Sequence, residues 1–521
     1  MADENFEPEA TTPSDKGNKM ASPNIIIITT DQQRCDSISC YGSSFTHTPN
    51  MDRLASEGAI FNRAYCTNPV CTPSRASIFS GQYPSRHGAW NVGTSIPEDL
   101  PMLSHYLTDL GYSTHYVGKA HFQGYFDENP QSIESGFEWE KTYSTWNGPY
   151  YGFDTVELCL GHTTYGIRGH YGLWVKSQVS EEEWKKYSEA SSRASGDEFG
   201  GEAYDWEIPT RLHNSAWAAE RSIAFLEAHD KQKPFFLAIG FQDPHHPHCV
   251  PTDFEDRVNA TEVPLPNYKE GELADKPPHF TISREGNLES SEFRGDYSMA
   301  GQGPGFDYRK VSEEHVREGR AYYYSMVKLI DQELGRILEC LDEQGLTENT
   351  LIIFTSDHGE LLGDHGLWLK GPYHYEELIN VPFLVRWPKG IKGGQSIDEL
   401  VSLVDIVPTV LACLGEKQPA VEGVDFMPLL GSDTSTRNNI IVEFTDDPNN
   451  LRLKTVVTKD RKLTYYHGHN FGELYDLLQD PGEIVNQWDN PKYQEDKMKL
   501  LAMLTDHLER LENRAERYAY A

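Results

Sequence analysis

Short apolar runs that each lead into chemically reactive residues are the feature of this sequence that most limits its fold. Asn24–Thr30 reads NIIIITT and precedes Asp31, and Leu351–Phe354 reads LIIF and leads into Asp357 and His358. An uninterrupted apolar run of this length is typical of a strand covered on both faces. In open α/β sheets, ligands bind at the carboxyl ends of the strands. The pattern therefore predicts an α/β protein with a polar site along one edge of its sheet.

Two more runs repeat the pattern. Ser113–Val117 leads to Lys119 and His121, and Pro234–Ile239 leads to His245. Between Pro234–Ile239 and Leu351–Phe354, apolar residues recur at spacings of three and four, which predicts a long helix over roughly Glu314–Leu341 with one buried stripe. Strands that alternate with helices predict an α/β/α sandwich around a large mixed, mostly parallel sheet.

The organisation changes from about residue 436. The remaining strand candidates are short and mostly lie in this part of the chain: Val381–Val385, Asn439–Phe444, Leu453–Val457, Lys462–Tyr466 and Glu473–Leu477. A helix of mixed charged and apolar residues is expected over Tyr493–Tyr518. We therefore predict a smaller C-terminal α+β domain with an antiparallel sheet over 436–521, after a catalytic domain over 23–435 and a disordered acidic tail over 1–22. Irregular insertions are expected at about 125–215 and 250–310.

Charge and cysteine content exclude several classes of protein. The 46 Lys and Arg residues face 80 Asp and Glu residues, a net charge of −34, which disfavours nucleic acid and anionic membranes as partners. Eight cysteines among 521 residues are too few for a disulfide scaffold.

With no signal peptide at the start, we expect a cytoplasmic protein if the sequence is complete, and a periplasmic or secreted one if a signal was removed. The sequence leaves open whether the protein forms a homo-oligomer.

The segment Cys71-Thr72-Pro73-Ser74-Arg75 carries the most specific chemistry. Pro73 suits the first turn of a helix, so Cys71 is expected at a helix N-terminus beside Arg75. A helix N-terminus and an arginine each lower the pKa of a nearby thiol, which indicates a reactive cysteine in an anion-binding pocket. The alternative is a buried structural cysteine, the commoner state of a lone cysteine.

C-T-P-S-R resembles the signature of the type I, formylglycine-dependent sulfatases of the alkaline phosphatase-like superfamily. Gly111–His121, with the pattern G-Y-x-T-x-x-x-G-K-x-H, resembles a second signature of that family. Further matches follow in unbroken order from about residue 23 to 515: Asp31, Thr48–Leu54, His245–Pro247, Thr355–Gly359, Gly363–Gly366 before Lys370, and Glu473–Leu477. The resemblance implies an alkaline phosphatase-like fold and a sulfuric ester hydrolase.

The resemblance also implies two cofactors. Cys71 would be oxidised to formylglycine by a formylglycine-generating or equivalent maturation enzyme. One divalent cation would be held by Asp31, Gln32, Asp357 and His358, with position 71 completing the shell. Gln32 stands where many relatives have Asp, and His358 where calcium-dependent members often carry Asn. Family habit favours Ca²⁺, but imidazole suits transition metals better, which makes Mn²⁺ the rival.

Roles carry over to five further positions. By resemblance, Arg75 binds the formylglycine hydroxyl and the carboxylates on the metal, and Lys119 and Lys370 hold sulfate oxygens. His121 resembles the base that deprotonates the second hydroxyl, and His245 resembles the general acid.

Other assignments are weaker. His246 is the ambiguous neighbour of His245. Trp146, His248 and His374 are candidates for binding the leaving group of the substrate.

The expected reaction is hydrolysis of a sulfate monoester, an aryl sulfate or a sulfated carbohydrate, to an alcohol or phenol and inorganic sulfate. Gln32 and His358 also motivate an alternative, a formylglycine-dependent phosphonate monoester or phosphodiester hydrolase. A second alternative is a non-catalytic sulfate-binding protein whose cysteine is never converted.

Overall fold

The computed structural model describes residues 22–125, 132–135, 139–162, 167–189, 203–287, 307–431, 435–446 and 451–511. The acidic tail expected over 1–22 therefore lies outside the described residues except for Ser22, as do parts of both expected insertions and the end of the helix expected to reach Tyr518.

The described strands, numbered along the chain, are β1 (Asn24–Thr30), β2 (Ala59–Phe61), β3 (Ala64–Tyr65), β4 (Ser113–Gly118), β5 (Thr155–Leu160), β6 (Ala203–Trp206), β7 (Phe235–Gly240), β8 (His248–Pro251), β9 (Thr350–Ser356), β10 (Phe383–Arg386), β11 (Gln395–Ile397), β12 (Val401–Ser402), β13 (Ile440–Thr445), β14 (Arg452–Val457), β15 (Arg461–Tyr466) and β16 (Gly472–Asp476).

The described α-helices are α1 (Pro49–Glu57), α2 (Cys71–Ser80), α3 (Pro84–His87), α4 (Leu103–Asp109), α5 (Trp139–Thr142), α6 (Gly169–Gln178), α7 (Glu181–Ser188), α8 (Asn214–Ala228), α9 (Pro278–Arg284), α10 (Glu313–Glu343), α11 (Glu376–Ile379), α12 (Ile406–Cys413) and α13 (Gln494–Leu511). None of these helices is both long and apolar enough to cross a membrane.

A central sheet joins eight strands in the order β11-β2-β10-β9-β1-β7-β4-β5. Strand β10 runs antiparallel to both of its neighbours, and the other pairings are parallel. Ile28 of β1 is in register with Ile239 of β7 and with Phe354 of β9, so these strands end at the same level. The large, mostly parallel sheet confirms the predicted fold class.

Strand β1 separates two hydrophobic cores. Ile25 and Ile27 pack into one core with residues of α2, α4 and α12. Ile26 and Ile28 pack into the other with residues of α1, α8 and α10. Because successive strand residues point to opposite faces, a strand needs a continuous apolar run to fill both cores. The run NIIIITT thus produces the α/β/α sandwich.

The C-terminal sheet is antiparallel, in the order β13-β14-β15-β16. Ile441 and Val456 point to one face, where Leu500 and Leu504 of α13 cover them. Ile440, Val442, Val457 and Tyr475 instead belong to the core shared with α2 and α12. The small sheet is therefore packed directly against the layer that contains Cys71.

Strand β5 corrects one detail of the sequence analysis. It lies within 125–215, where an irregular insertion was expected, yet it forms an edge of the central sheet beside β4. Its sequence TVELCL contains Glu157, which is a quarter exposed and pairs with Arg221. An edge strand tolerates such a charge. Because Glu157 interrupts the apolar residues, the segment does not stand out in the sequence as an apolar run.

A buried imidazole ties the loop after β9 to the rest of the fold. His365 Nδ1 lies 2.9 Å from Glu272 Oε1 and its Nε2 lies 3.4 Å from Glu377 Oε2. The ring stacks on Tyr375 with centroids 3.5 Å apart. Burial alone would lower the pKa of His365, but the hydrogen bonds and charges of the two carboxylates outweigh it and raise the pKa to about 9.

Stability should therefore fall when His365 loses its proton. The folded-state pKa exceeds the unfolded value of 6.5, so the contribution of about 3 kcal/mol is complete below pH 6.5 and is lost as the pH rises through 9. We expect His365→Gln to lower the free energy of unfolding by more at pH 6.5 than at pH 9.5, measured by urea denaturation. The exposed His467→Gln is the control; an equal loss at both pH values would contradict the prediction.

Candidate active site

Five parallel strands of the central sheet deliver polar residues to one edge. Asp31 follows β1, Lys119 follows β4, His162 follows β5 after one glycine, His245 lies in the loop after β7, and Asp357 follows β9. Asp31, Lys119, His245 and Asp357 are buried, and His162 is partly buried. The convergence predicted from the apolar runs is therefore present.

Cys71 is the first residue of α2, so the helix begins at the cysteine itself rather than after it. Its Sγ lies 3.1 Å from Lys370 Nζ, 3.3 Å from His358 Nε2, 3.5 Å from Asp31 Oδ1 and 3.9 Å from Lys119 Nζ. Burial and Asp31 raise the pKa of the thiol, but Lys119, Lys370 and His358 together hold it well below the usual value. Position 71 therefore favours an anion.

Arg75 joins the two central carboxylates. Its Nε donates to Asp357 Oδ2 at 2.8 Å, and its Nη2 donates to Asp31 Oδ2 at 3.1 Å. Burial would raise the pKa of Asp31, but Lys119 and Arg75 hold it well below the usual range. The pKa of Asp357 is raised by its burial and by the neighbouring charge of Asp31. A divalent cation between the two carboxylates would relieve this repulsion.

The residues expected to bind a cation fit one. Ligand atoms of Asp31, Cys71, Asp357 and His358 all lie within 4.8 Å of one another, and all four side chains are buried. His358 Nδ1 lies 2.9 Å from the carbonyl oxygen of Gly359. As the donor to that oxygen, Nδ1 leaves Nε2, which lies 3.3 Å from Cys71 Sγ and 3.2 Å from Lys370 Nζ, as the nitrogen with a lone pair that could bind a metal.

Gln32 supplies a further observation. Its Nε2 donates to Glu360 Oε2, whereas its buried Oε1 has no hydrogen-bond partner among the described residues. A carboxylate can only accept hydrogen bonds, so the amide nitrogen of Gln32 must face Glu360 and the amide oxygen must point away from it. An orphaned buried oxygen next to Asp31 fits a ligand of a divalent cation, and a neutral oxygen with an imidazole fits a transition metal well.

Two lysine–histidine pairs flank Cys71. Lys370 Nζ lies 2.9 Å from His245 Nε2, and Lys119 Nζ lies 2.8 Å from His162 Nδ1. The rings of His162 and His245 stack with centroids 3.9 Å apart. Burial, reinforced by neighbouring positive groups, holds the pKa of both histidines well below the usual value. Both imidazoles are therefore neutral at pH 7, and the lysines carry the positive charge.

His162 was missed by the sequence analysis. The available signal was Gly161-His162 directly after β5, the same arrangement of strand and polar residue that marks the other strands. It was overlooked because β5 was not recognised as a strand.

His121 and His245 both contact the ring of His162. The His121 ring meets His162 edge-on, with centroids 5.6 Å apart. His246 stacks on His245 with ring centroids 4.3 Å apart and is more exposed than its neighbour. His245 Nε2 contacts Lys370 Nζ.

The three expected substrate-binding residues lie apart from this cluster. Trp146 packs on Tyr150, His248 packs on Tyr323, and His374 Nδ1 lies 2.6 Å from Thr455 Oγ1. Among the described residues, none of the three makes a hydrogen bond or ring contact to Cys71 or to either lysine. Their roles in binding substrate stay predictions.

The arrangement defines a class of protein. An anion-stabilising position at a helix N-terminus adjoins a carboxylate pair suited to a divalent cation, two ammonium groups and neutral imidazoles. Such a set can bind a tetrahedral anionic ester, attack it and protonate its leaving group. The arrangement is suited to a hydrolase of anionic esters.

Comparison with known proteins identifies the family to which the chain belongs. The family model "Sulfatase" matches residues 23–416, and a model of the C-terminal part of N-sulphoglucosamine sulphohydrolase matches residues 363–513. The chain belongs to the sulfatase family.

Similar proteins agree with this assignment. An arylsulfatase of Clostridium perfringens is 29% identical over 95% of this chain and 96% of its own length. An N-acetylglucosamine-6-O-sulfatase of Bacteroides thetaiotaomicron is 26% identical over 93% of this chain and 86% of its own. The phosphonate monoester hydrolase of Agrobacterium radiobacter shares the fold, with a TM-score of 0.77 over 94% of this chain and 96% of its own, at 23% identity. The protein is a sulfuric ester hydrolase.

The cation site can be tested by its effect on stability. A ligand at one hundred times its Kd raises the free energy of unfolding by about 2.7 kcal/mol. We expect Mn²⁺ or Ca²⁺ to raise the Tm of chelator-treated protein, and Asp357→Asn to abolish that rise. Asp331→Asn, in a buried carboxylate on α10 away from the cluster, should retain the response. An unchanged response in Asp357→Asn would remove Asp357 from the ligand set.

Proposed function

We propose that the protein hydrolyses a sulfate monoester with an oxidised Cys71 as its nucleophile. The observation that carries the proposal is the placement of Cys71 Sγ within 3.9 Å of two lysine ammonium groups, next to Asp31 and His358. A reacting sulfuryl group at this position would have cations on two sides. A chain with net charge −34 needs such a local reversal of charge to attract an anion.

Formylglycine at position 71 would supply, once hydrated, two hydroxyl groups. Arg75, whose guanidinium spans Asp31 and Asp357, would hold the carboxylates that face these hydroxyls. Lys119 and Lys370 would bind the sulfate oxygens and stabilise the charge that develops on them.

Proton transfer is assigned to two histidines. A neutral imidazole can accept a proton, and we assign His121 as the base toward position 71. His245 would protonate the leaving oxygen, for which it must first gain a proton. Lys370 Nζ lies 2.9 Å from His245 Nε2, but Lys370 stays an ammonium that binds sulfate, so the proton would come from solvent. The negative charge of a bound ester would favour the protonated form of His245.

A cation held by Asp31, Gln32, Asp357 and His358 would act as a Lewis acid at position 71. The imidazole and the neutral amide oxygen favour Mn²⁺ more than an all-oxygen shell would, so Mn²⁺ stays beside Ca²⁺ in the proposal. Residues 23–435 would carry these steps, and 436–521 would support the segment before Cys71.

The second candidate is a phosphonate monoester or phosphodiester hydrolase. Gln32 and His358 favour it. Sulfate monoesters and phosphonate monoesters are both tetrahedral monoanions, so the two lysines alone do not separate them. The family match and the names of the relatives favour sulfate. An aryl sulfate and a sulfated carbohydrate both suit the proposal.

Turnover decides between the candidates. With wild-type protein, we expect nitrophenyl sulfate to give a higher kcat/KM than a phenyl phosphonate ester, and Cys71→Ala to abolish turnover of both without changing the Tm markedly. A large excess for the phosphonate would overturn the choice of substrate.

The mass of the peptide that contains Cys71 tests the conversion to formylglycine. It should be lower by about 18 Da than the mass of the thiol form, because the thiol becomes an aldehyde. An unconverted thiol together with no turnover would instead favour a sulfate-binding protein.

Lys370→Ala tests the proposed binding of the sulfate. Removal of a group that stabilises developing oxyanion charge costs about 3–4 kcal/mol of transition-state stabilisation. We expect a loss of at least a hundredfold in kcat/KM for the sulfate ester. Lys176→Ala, in an exposed ion pair with Glu140, is the control. A loss below about tenfold, equivalent to about 1.4 kcal/mol, would exclude Lys370 from the site.

A further inference from the structure

One buried carboxylate holds the turn that carries His121. Glu134 Oε2 accepts the backbone N–H of His121 at 2.7 Å, and its Oε1 accepts those of Phe122 at 2.6 Å and Gln123 at 3.2 Å. The Tyr150 hydroxyl donates to the same Oε1 at 2.7 Å. A single side chain thus binds three successive backbone donors, which is the arrangement of a backbone nest around an anion.

The contact is reciprocal. Gln123 Oε1 accepts the backbone N–H groups of Ile133 at 2.6 Å and Glu134 at 3.4 Å, and the Ser132 hydroxyl at 3.4 Å. The segment 132–135 and the turn 121–123 therefore bind each other through two side chains. Glu134 is 4% exposed, so its hydrogen bonds compete little with water.

The turn needs such support. His121 has φ of 55°, in the left-handed region that non-glycine residues adopt rarely. Its Nδ1 is buried and has no hydrogen-bond partner among the described residues, so no contact at that atom directs the ring. The direction of the imidazole therefore depends on the backbone of residue 121 and on the edge-on contact of the ring with His162. Glu134 also lines a small cavity together with Lys119, His121 and His162.

We propose that Glu134 is a positioning residue for His121. Its carboxylate fixes the left-handed turn and thereby aims the imidazole into the cavity beside Lys119 and His162. Glu134 acts through His121, since its oxygen atoms are directed at backbone donors and a phenol. The inference rests on the proposed function, in which His121 is a base.

A double-mutant cycle tests the proposal. Glu134→Gln keeps the volume of the side chain but turns an amide N–H₂ toward backbone N–H groups. We expect it to lower kcat for nitrophenyl sulfate at least tenfold, to change KM less than threefold, and to shift the limb of the pH profile assigned to the base. In a His121→Ala background, the same change should cost less than twofold, because the residue that it positions is gone.

Controls separate positioning from folding. Glu140→Gln, in a partly exposed carboxylate of the neighbouring helix α5 that pairs with Lys176, should leave kcat and KM unchanged. Tyr150→Phe removes one of the four hydrogen bonds that described residues donate to Glu134, and we expect a smaller loss of kcat that also vanishes without His121. This milder variant carries the test if Glu134→Gln does not fold. Equal losses with and without His121 would overturn the proposal.

A structural readout distinguishes this proposal from the proposed function. In a crystal structure of Glu134→Gln, we expect His121 to leave the left-handed conformation. If the wild type has no sulfatase activity but His121 moves in the variant, the proposed function fails while the clamp on residue 121 stands. If the wild type is active and neither kcat nor the φ of His121 changes in the variant, the positioning role is wrong.

Discussion

The buried ion cluster of Arg75, Asp31 and Asp357 is the interaction on which the rest of the site depends. All three side chains are fully buried, and a buried charge is tolerated only when it is paired and hydrogen-bonded. Arg75 also donates from Nη1 to the carbonyl oxygen of Lys119 at 2.8 Å. One guanidinium on helix α2 thus binds the ends of strands β1, β4 and β9, and it fixes Cys71 relative to the sheet.

Opposite charges are arranged around position 71 so that an anion is favoured there. Asp31 and His358 contact Cys71 Sγ, and the ammonium groups of Lys119 and Lys370 lie 3.9 and 3.1 Å from it. The chain as a whole is strongly acidic, and this cationic pocket reverses that field locally. The neutral state of His162 and His245 follows from the same arrangement, because burial and the nearby ammonium groups disfavour a further positive charge.

Much of the fold could be predicted from the sequence because its signals are local. The run NIIIITT matches β1 residue for residue, and four predicted C-terminal strands match β13 to β16 within one residue at either end. The long helix with one apolar stripe is α10, and it ends before Gly345, whose φ of 68° suits the left-handed turn after a helix. Strand β5 could not be found in this way, since an edge strand needs no continuous apolar run.

The sequence alone predicted five of the eight strands of the central sheet, their order along the chain and the residue types that follow them, because apolar runs and ordered motifs are written in neighbouring positions. Only the tertiary structure decided which of those residues meet. His162 stacks on His245 from 83 positions away, Glu360 orients Gln32, and Glu134 grips the turn at His121. These contacts form because the packing of the sheet brings distant loops together. A pattern of neighbouring residues in the sequence does not show which distant residues will meet.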